Sequence, residues 1–385
     1  MVIESYPRPD FKREDWTDLN GEWDFSFDEP VFDRKIQVPF CYQSEMSGIC
    51  DTRVHHIVWY RKEFVVEKGR LSGKSLLLKF GAVDYEAEVY INQTYAGGHR
   101  GGHTPFEADI TGLVSEGKNI ITVKVMDYSD ADKPRGKQTW TGENFACWYT
   151  PTTGIWQSVW LEYAGKPYIK RIKATPDLEC NEALCEIFIS TMERMTAEAS
   201  FHSLPAEGGM EMDLGSLKIA CENGYGKGIL ALPDLDLRRD QLTWTPEKPN
   251  LIEMEVNLQN DKVTSYFGLR SVCVSNGRIL LNGEVLYQRL VLDQATGVKA
   301  FSRLPMRKPS GMISCFQRKW GLMGPENIRK SKIQDITTGP INWDFLYGER
   351  CQAAICIQTI LWKALPESLL NLLNGIITIH PLLHG

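Results

Sequence analysis

Four histidines in the first half of the chain are the first candidates for chemistry. They are His55, His56, His99 and His103. Neutral imidazole is a common metal ligand, but metal sites combine it with carboxylates or thiolates at short, regular spacings. No carboxylate at ligand spacing accompanies these residues, so surface or hydrogen-bonded side chains are the favoured interpretation.

The ten cysteines and the glycine-rich stretch offer no better site. No CxxC pair occurs, and the closest spacings, Cys180 with Cys185 and Cys351 with Cys356, fit no common zinc pattern. Gly97 to Gly102 is not a phosphate loop, because no Lys-Ser/Thr pair or helix start follows it. The sequence therefore predicts no metal and no cofactor.

Composition excludes several classes of protein. The chain has 385 residues, a net charge of −6 and a pI of about 5.8, so no strongly basic domain indicates nucleic acid. No run reaches the length of a membrane-spanning helix, and Met1 to Asp10 has no apolar signal core, which predicts a cytoplasmic protein with reduced thiols. Most of the eleven Trp are expected in cores, although a flat indole also suits a sugar ring.

Short strands with alternating apolar residues dominate residues 1–165. Trp23, Phe25 and Phe27 alternate, as do Ala87, Val89 and Ile91, which is the period of a sheet with one buried face. Further strands are predicted at Val58–Val65, Leu76–Phe80, Asn119–Asp127 and around Trp156 and Trp160. Gly97, Gly98, Gly101 and Gly102 predict a crowded loop, and Asp130 to Gly142 a surface loop.

The same pattern continues after a linker at Gly165 to Pro167. Strands are predicted at Tyr168–Ala174, Leu184–Ile189, Glu198–His202, Leu217–Ala220, Gly228–Leu232 and Ile252–Leu258. Asn276-Gly277 and Asn282-Gly283 are hairpin turns between apolar runs. Frequent turns and almost no helical periodicity predict a mainly β fold built of sandwiches.

Five motifs, in order, carry a family resemblance: LNGEWDF, VWYRKEF, FGAVDYEAEVYIN, GGHTPFEADIT and GIWQSVWLE. Together they resemble the N-terminal jelly-roll domain of glycoside hydrolase family 2, the family of β-galactosidases and β-glucuronidases. WTPEKPNL at Trp244 to Leu251 resembles the end of that family's immunoglobulin-like domain. Tyr266 to Gln294 resembles the entry into its TIM barrel. One departure is Asn92-Gln93, where the family often has Asn-Gly, which predicts a longer or looser hairpin.

The resemblance implies a division of the chain into four parts. Residues 1–165 are expected to form the jelly-roll sugar-binding domain and residues 166–270 the immunoglobulin-like sandwich, whose favoured role is a passive brace. Residues 271–294 would enter the barrel. Residues 295–385 form an aberrant tail, because they hold eleven Lys or Arg against five Asp or Glu and show no strand–helix repeat after Gln294.

A codon argument gives a hypothesis for that tail. Back-translated and read from the third base of each codon, Lys319 to Ile333 allows MGFNGARKHQKIED, which resembles the family's barrel. Asn374 to Gly385 and the residues after Asp293 allow further matches in the same frame and in the family's order. We therefore expect a one-base frameshift near Gln294, which the nucleotide sequence would test.

The resemblance also implies a retaining glycosidase, in which one Glu protonates the leaving oxygen and a second, about 5–5.5 Å away, attacks the sugar. The family carries both on barrel strands, so no catalytic residue is assigned in this chain, and Asn181-Glu182 on a predicted turn is read as a coincidence. Trp148 and Tyr149 are the candidate substrate-binding residues, because their loop would face the barrel mouth of a relative; a packed aromatic corner is the alternative.

Three functions stay open at this point. The first is an enzyme by descent, a family 2 protein acting on β-galactosides or β-glucuronides, with this chain inactive alone. The second is a non-catalytic carbohydrate-binding module, and the third is a structural remnant. The expected partner is a carbohydrate, with no nucleic acid and no membrane; the sequence decides neither the sugar nor the oligomeric state.

Overall fold

Strands make up most of the molecule. The computed structural model describes residues 6–129, 133–146, 148–205, 209–287, 290–293 and 324–327, the last two ranges by their backbone only. Within these ranges the one α-helix is a single turn, α1 (Arg239–Leu242). None of the described residues belongs to a helix with the length and hydrophobicity needed to cross a membrane. The mainly β fold class expected from the sequence is confirmed.

Twelve strands form a jelly-roll sandwich in the first part of the chain. They are β1 (Trp16–Asp18), β2 (Gly21–Phe27), β3 (Arg34–Val38), β4 (Ile57–Val66), β5 (Lys74–Phe80), β6 (Val83–Asp84), β7 (Glu86–Ile91), β8 (Thr94–Arg100), β9 (Phe106–Asp109), β10 (Gly117–Met126), β11 (Gly154–Ile155) and β12 (Val159–Gly165). One sheet has the order β1-β12-β5-β9, the other β3-β2-β4-β10-β7-β8, and β6 pairs with β11.

The apolar residues of alternating strands fill the space between the two sheets. Ala87, Val89 and Ile91 of β7 are buried, and Val89 lies opposite Val123 of β10. Their neighbours Glu88 and Tyr90 point to the outer face, where they are partly exposed. Alternate residues of a strand point to opposite faces, so this burial pattern matches the apolar period in the sequence. The predicted strands are therefore confirmed.

One local expectation is wrong, and a second is wrong in part. Asn92-Gln93 forms a tight two-residue hairpin turn between Ile91 and Thr94. Both residues have a left-handed backbone, with φ of 49° and 71°, so Gln93 adopts the conformation for which Gly is usual. Gly97 and Gly98 lie in strand β8 and not in a loop, whereas Gly101 and Gly102 follow β8 in the predicted loop. A Cβ on Gly98 would lie 2.9 Å from the carbonyl oxygen of Ala87, so close strand approach explains this glycine.

Seven strands form the second sandwich. They are β13 (Ile169–Asp177), β14 (Glu182–Ile189), β15 (Met195–Leu204), β16 (Asp213–Glu222), β17 (Tyr225–Ala231), β18 (Leu251–Leu258) and β19 (Asp261–Phe267). Strands β16 and β17 pair only at their hairpin end, through Cys221 with Gly226 and Glu222 with Tyr225. The seven strands follow the order β13-β14-β17-β16-β15-β18-β19, and each of them contributes residues to one apolar core.

Two further small sheets follow β19. The first contains β20 (Val272–Ser275), β21 (Arg278–Leu281) and β22 (Glu284–Val285), and its turns are the predicted Asn276-Gly277 and Asn282-Gly283. The second pairs β23 (Leu290–Asp293) in parallel with β24 (Gly324–Asn327). Apart from β24, the predicted aberrant tail 295–385 lies outside the described residues. The bounds of the four predicted parts stay predictions.

Candidate functional site

An aromatic cluster stands out on the segment that joins β10 to β11. Trp140, Phe145 and Trp148 form this aromatic cluster. The ring centroid of Trp140 lies 4.8 Å from that of Trp148 and 5.4 Å from that of Phe145, with interplanar angles of 75° and 87°. These edge-to-face contacts are the favourable geometry for aromatic pairs. The three side chains therefore support one another on a loop.

The cluster is open to solvent. Trp140 is 41% exposed, Phe145 40% and the neighbouring Tyr149 38%, whereas Trp148 is half-buried. Large apolar side chains grouped at the surface of a folded domain usually mark a binding surface, because their exposure to water is unfavourable. An indole or phenol ring can stack on the apolar face of a pyranose, so the surface is chemically suited to a sugar.

Gln138 anchors this loop to the sandwich. Its amide nitrogen donates to Asp84 Oδ2 at 2.7 Å, and its amide oxygen accepts from the backbone N–H of Thr152 at 2.7 Å. Gln138 and Asp84 are 3% and 2% exposed. A buried amide that satisfies a donor and an acceptor at once specifies one position for the backbone that carries it. Gln138 thus fixes the loop two residues before Trp140.

Asp127 provides a second anchor at the start of the same segment. Its carboxylate accepts from Lys133 Nζ at 2.8 Å and from Thr153 Oγ1 at 2.6 Å, and both charged side chains are almost fully buried. The backbone N–H of Thr153 also donates to Gln43 Oε1 at 3.2 Å. The two ends of the segment, at 127 and 153, are therefore held together by polar contacts.

The exit of the loop is fixed by close packing. Gly154 has φ of 100°, and a Cβ there would lie 2.0 Å from the hydroxyl oxygen of Tyr60. The same hydroxyl accepts from the backbone N–H of Ile155 at 3.3 Å. Burial raises the pKa of Tyr60, so the phenol stays protonated. Gly154 is the residue that these two constraints require.

The sequence expectation of a surface loop over residues 130–142 is wrong in part. Of its described residues, Arg135, Gln138 and Thr139 are buried, and Gln138 reaches 54 positions back along the chain to Asp84. Polar composition indicated solvent, but Gln138 bonds to the buried Asp84, and Arg135 Nη2 donates to the backbone carbonyl of Tyr128 at 2.7 Å. The predicted substrate-binding residues did not include Trp140 and Phe145, because both lie in a polar stretch. Two aromatic residues within such a stretch were the signal that could have identified them.

Trp148 and Tyr149, the two residues predicted to bind substrate, lie within or beside the aromatic cluster. Trp148 packs against Trp140, which agrees in part with the alternative of a packed aromatic corner. Tyr149 is more open, and its backbone bonds to Thr139 and Lys137 across the loop. Their binding role is still a prediction, since the geometry fits both packing and contact with a ligand.

The four histidines do not converge. His55 stacks on Phe27 at 3.7 Å between ring centroids, whereas His56 stacks on Tyr128 at 5.4 Å. His99 contacts Thr104 Oγ1 at 2.9 Å, and His103 lies against Trp156. Each ring thus has its own local neighbour, as expected for hydrogen-bonded or packed side chains.

The turn between β13 and β14 holds another group of possible ligands. One ligand atom each from Asp177, Cys180 and Glu182 lies within 4.8 Å of the others. Asp177 Oδ1 accepts from the backbone N–H groups of Glu179 and Cys180 at 3.0 Å, which is the ordinary role of Asp in a turn. Asn181 sits in this turn with φ of 53°, so Asn181-Glu182 is a strand connection. We assign no metal to it.

The first sandwich matches a known family of domains. Residues 20–162 match the family model described as "Glycosyl hydrolases family 2, sugar binding domain". A β-galactosidase of Thermoanaerobacter pseudethanolicus is 29% identical over 281 residues, which cover 71% of this chain and 36% of that protein. A putative β-glucuronidase of Formosa agariphila is 28% identical over 235 residues, covering 59% of this chain and 26% of the relative.

Solved structures share the fold. A β-glucuronidase of an uncultured Clostridium sp. superposes with a TM-score of 0.61 at 20% identity, covering 85% of this chain and 56% of its own. A β-galacturonidase of Eisenbergiella tayi, solved with glycerol bound, gives a TM-score of 0.64 at 18% identity and covers 87% of this chain and 57% of its own.

The chain spans from about a quarter to about half the length of four of the curated relatives that it matches. The part that matches the family model contains the jelly roll except β1 and the end of β12, and the aromatic cluster and its polar anchors lie within it. Residues 20–162 therefore form a domain of the family 2 sugar-binding type, and the chain is similar to β-galactosidases and β-glucuronidases over the part that these relatives share with it.

Proposed function

We propose that this chain is the carbohydrate-binding front portion of a family 2 β-glycosidase and that its jelly roll holds a β-glycoside against the aromatic cluster. The observation that carries the proposal is the exposure of Trp140, Phe145 and Tyr149 on a loop held by buried polar bonds, inside a domain of the sugar-binding type. A fixed platform loses less entropy on binding than a mobile one, which favours ligand contact.

The relatives supply the substrate class of this proposal. Their names include β-galactosidase and β-glucuronidase, and one structural neighbour, the enzyme of Bifidobacterium dentium, is complexed with coumarin-3-O-glucuronide. We accordingly propose β-galactosides and β-glucuronides as the sugars to test. The cluster itself presents apolar faces, which do not discriminate between an uncharged and an anionic pyranose.

We further propose that the chain binds without turnover. Retaining hydrolysis needs two carboxyl groups about 5–5.5 Å apart. The resemblance puts both glutamates on barrel strands beyond Gln294, where this sequence departs from the family pattern. The function that we propose for the described part is therefore carbohydrate binding. Hydrolysis is the activity of the family from which the chain would descend.

Two assays test these proposals on the full chain. Chromogenic β-galactoside and β-glucuronide substrates should give no product above a buffer control, and measurable hydrolysis would refute the inactive state. Titration with methyl β-galactoside or methyl β-glucuronide should change the tryptophan fluorescence in a saturable way. If the fluorescence does not change at any sugar concentration, the binding proposal fails and the chain is a structural remnant.

A further inference from the structure

The two sandwiches have separate apolar cores. One core consists of residues between Leu19 and Tyr163, and the other of residues between Ile169 and Leu269, together with Phe11. Among the described residues, the small buried cluster that joins the two sides of the linker contains Leu77, Ala164 and Tyr168. Sandwiches joined by so little apolar surface would ordinarily unfold and move independently.

The N-terminal strap, residues 6–18, crosses from one sandwich to the other. Phe11 is buried in the second core, and Lys12 exchanges backbone hydrogen bonds with Thr264 of β19 at 2.8 and 2.9 Å. A few residues later, Trp16 to Asp18 form β1 beside β12 of the jelly roll. A single short segment is therefore paired with both sandwiches.

Arg13 lies at the middle of this strap and contacts both sides at once. Its Nε and Nη2 each lie 2.9 Å from the carboxylate of Asp261 in the second sandwich. Its Nη1 donates to Glu162 Oε2 of the jelly roll at 2.6 Å. Arg13 and both carboxylates are at most 3% exposed. The planar guanidinium is the side chain that can bridge two carboxylates in this way.

Both carboxylates have further partners that fix their positions. Asp261 accepts from the backbone N–H groups of Gly165 and Ile169, at 3.1 and 2.7 Å, on either side of the linker. Glu162 accepts from Trp160 Nε1 at 2.8 Å and from the hydroxyl of Tyr6. The charges are thus fully bonded, so removing Arg13 leaves two buried carboxylates without the cation that they share.

We propose that the N-terminal strap is a clamp that makes the two sandwiches one cooperative unit, with Arg13 as its central residue. The clamp sets the direction in which the chain leaves β19 relative to the jelly roll that carries the aromatic cluster. Sandwiches with separate cores then unfold together because opening either one exposes a charged group of the other.

Buried thiols report on each sandwich separately. Cys41 lies in the jelly roll, whereas Cys185 and Cys221 lie in the second core, and all three are at most 1% exposed. The experiment is pulsed alkylation of the full chain along a urea series, with the modified cysteines identified by peptide mass spectrometry. In the wild type, we expect all three thiols to become reactive over the same urea range.

Replacing Arg13→Met should separate these ranges by about 1 M urea or more, given the usual dependence of stability on urea. Arg194→Met is the matched control, because Arg194 is 76% exposed and pairs with the exposed Glu222; its ranges should stay together. If Arg13→Met does not fold, Arg13→Lys keeps the charge, loses the fork and should show a smaller separation. Different ranges in the wild type, or a common shift in the folded Arg13 variants, would overturn the proposal.

Discussion

The aromatic loop and the junction between the sandwiches both bury polar side chains, but they use them differently. At the loop, neutral Gln138 and the Asp127–Lys133 pair hold a backbone that presents apolar rings to water. At the junction, Arg13, Glu162 and Asp261 are enclosed on all sides. Buried polar groups therefore hold a surface loop in position in the first region and connect two apolar cores in the second.

The largest effect should follow from Glu162→Ala. This change leaves Arg13 and Lys79 buried without their shared carboxylate, so we expect a loss of about 3–5 kcal/mol in the free energy of unfolding. Urea denaturation measures it. Glu63→Ala is the control, since Glu63 is 54% exposed in its pair with Lys118, and should cost less than about 1 kcal/mol. Equal effects would remove the distinction between the junction and the surface.

Acid should weaken the same junction. Burial raises the pKa of Glu162, but Lys79, Arg13 and the hydrogen bonds from Tyr6 and Trp160 outweigh burial and hold that pKa below its usual value of 4.5. The stabilisation is therefore complete above about pH 4.5 and is lost as the pH falls through the lower pKa of the folded state. Unfolding midpoints measured from pH 6 to pH 3 should show this loss in the wild type and less of it in Glu162→Gln.

A smaller loss of stability should follow from Gln138→Ala at the loop. The change removes the hydrogen bonds that Gln138 makes with Asp84 Oδ2 and with the N–H of Thr152, which costs about 1–3 kcal/mol. Because the loop loses its anchor, binding of the methyl β-glycoside should weaken as well. Gln93→Ala, on the exposed hairpin turn, should change neither stability nor binding. A Gln138 variant that binds like the wild type would show that the platform does not need its anchor.

The smallest effect on stability, with a clear effect on binding, should come from Trp148→Ala. Loss of one stacking ring should weaken the affinity for the glycoside by about 3- to 10-fold, measured by calorimetric titration. Tyr95→Ala removes a ring that is 59% exposed on β8 of the sheet and should leave the affinity unchanged. If both variants bind equally, the aromatic cluster is not the contact surface.

Local periodicity predicted the strands, because the sequence itself shows an apolar residue at every second position. Ala87, Val89 and Ile91 are one example, and the Asn276-Gly277 turn is another. The partners of polar residues were not predictable, since Gln138 bonds to Asp84 and Arg13 to Asp261, which lies 248 positions away. Such pairings depend on the folded arrangement of the strands and leave no periodic signal in the chain.

Saturation-transfer NMR on the full chain is the decisive test of sugar binding at the aromatic cluster, because it detects contact between protein and sugar without a reaction. With methyl β-galactoside or methyl β-glucuronide, we expect saturation transfer to the ring C–H protons of at least one sugar, and its loss in the double variant Trp140→Ala, Trp148→Ala. Saturation transfer that persists in a folded double variant, or none to either sugar in the wild type, would contradict it.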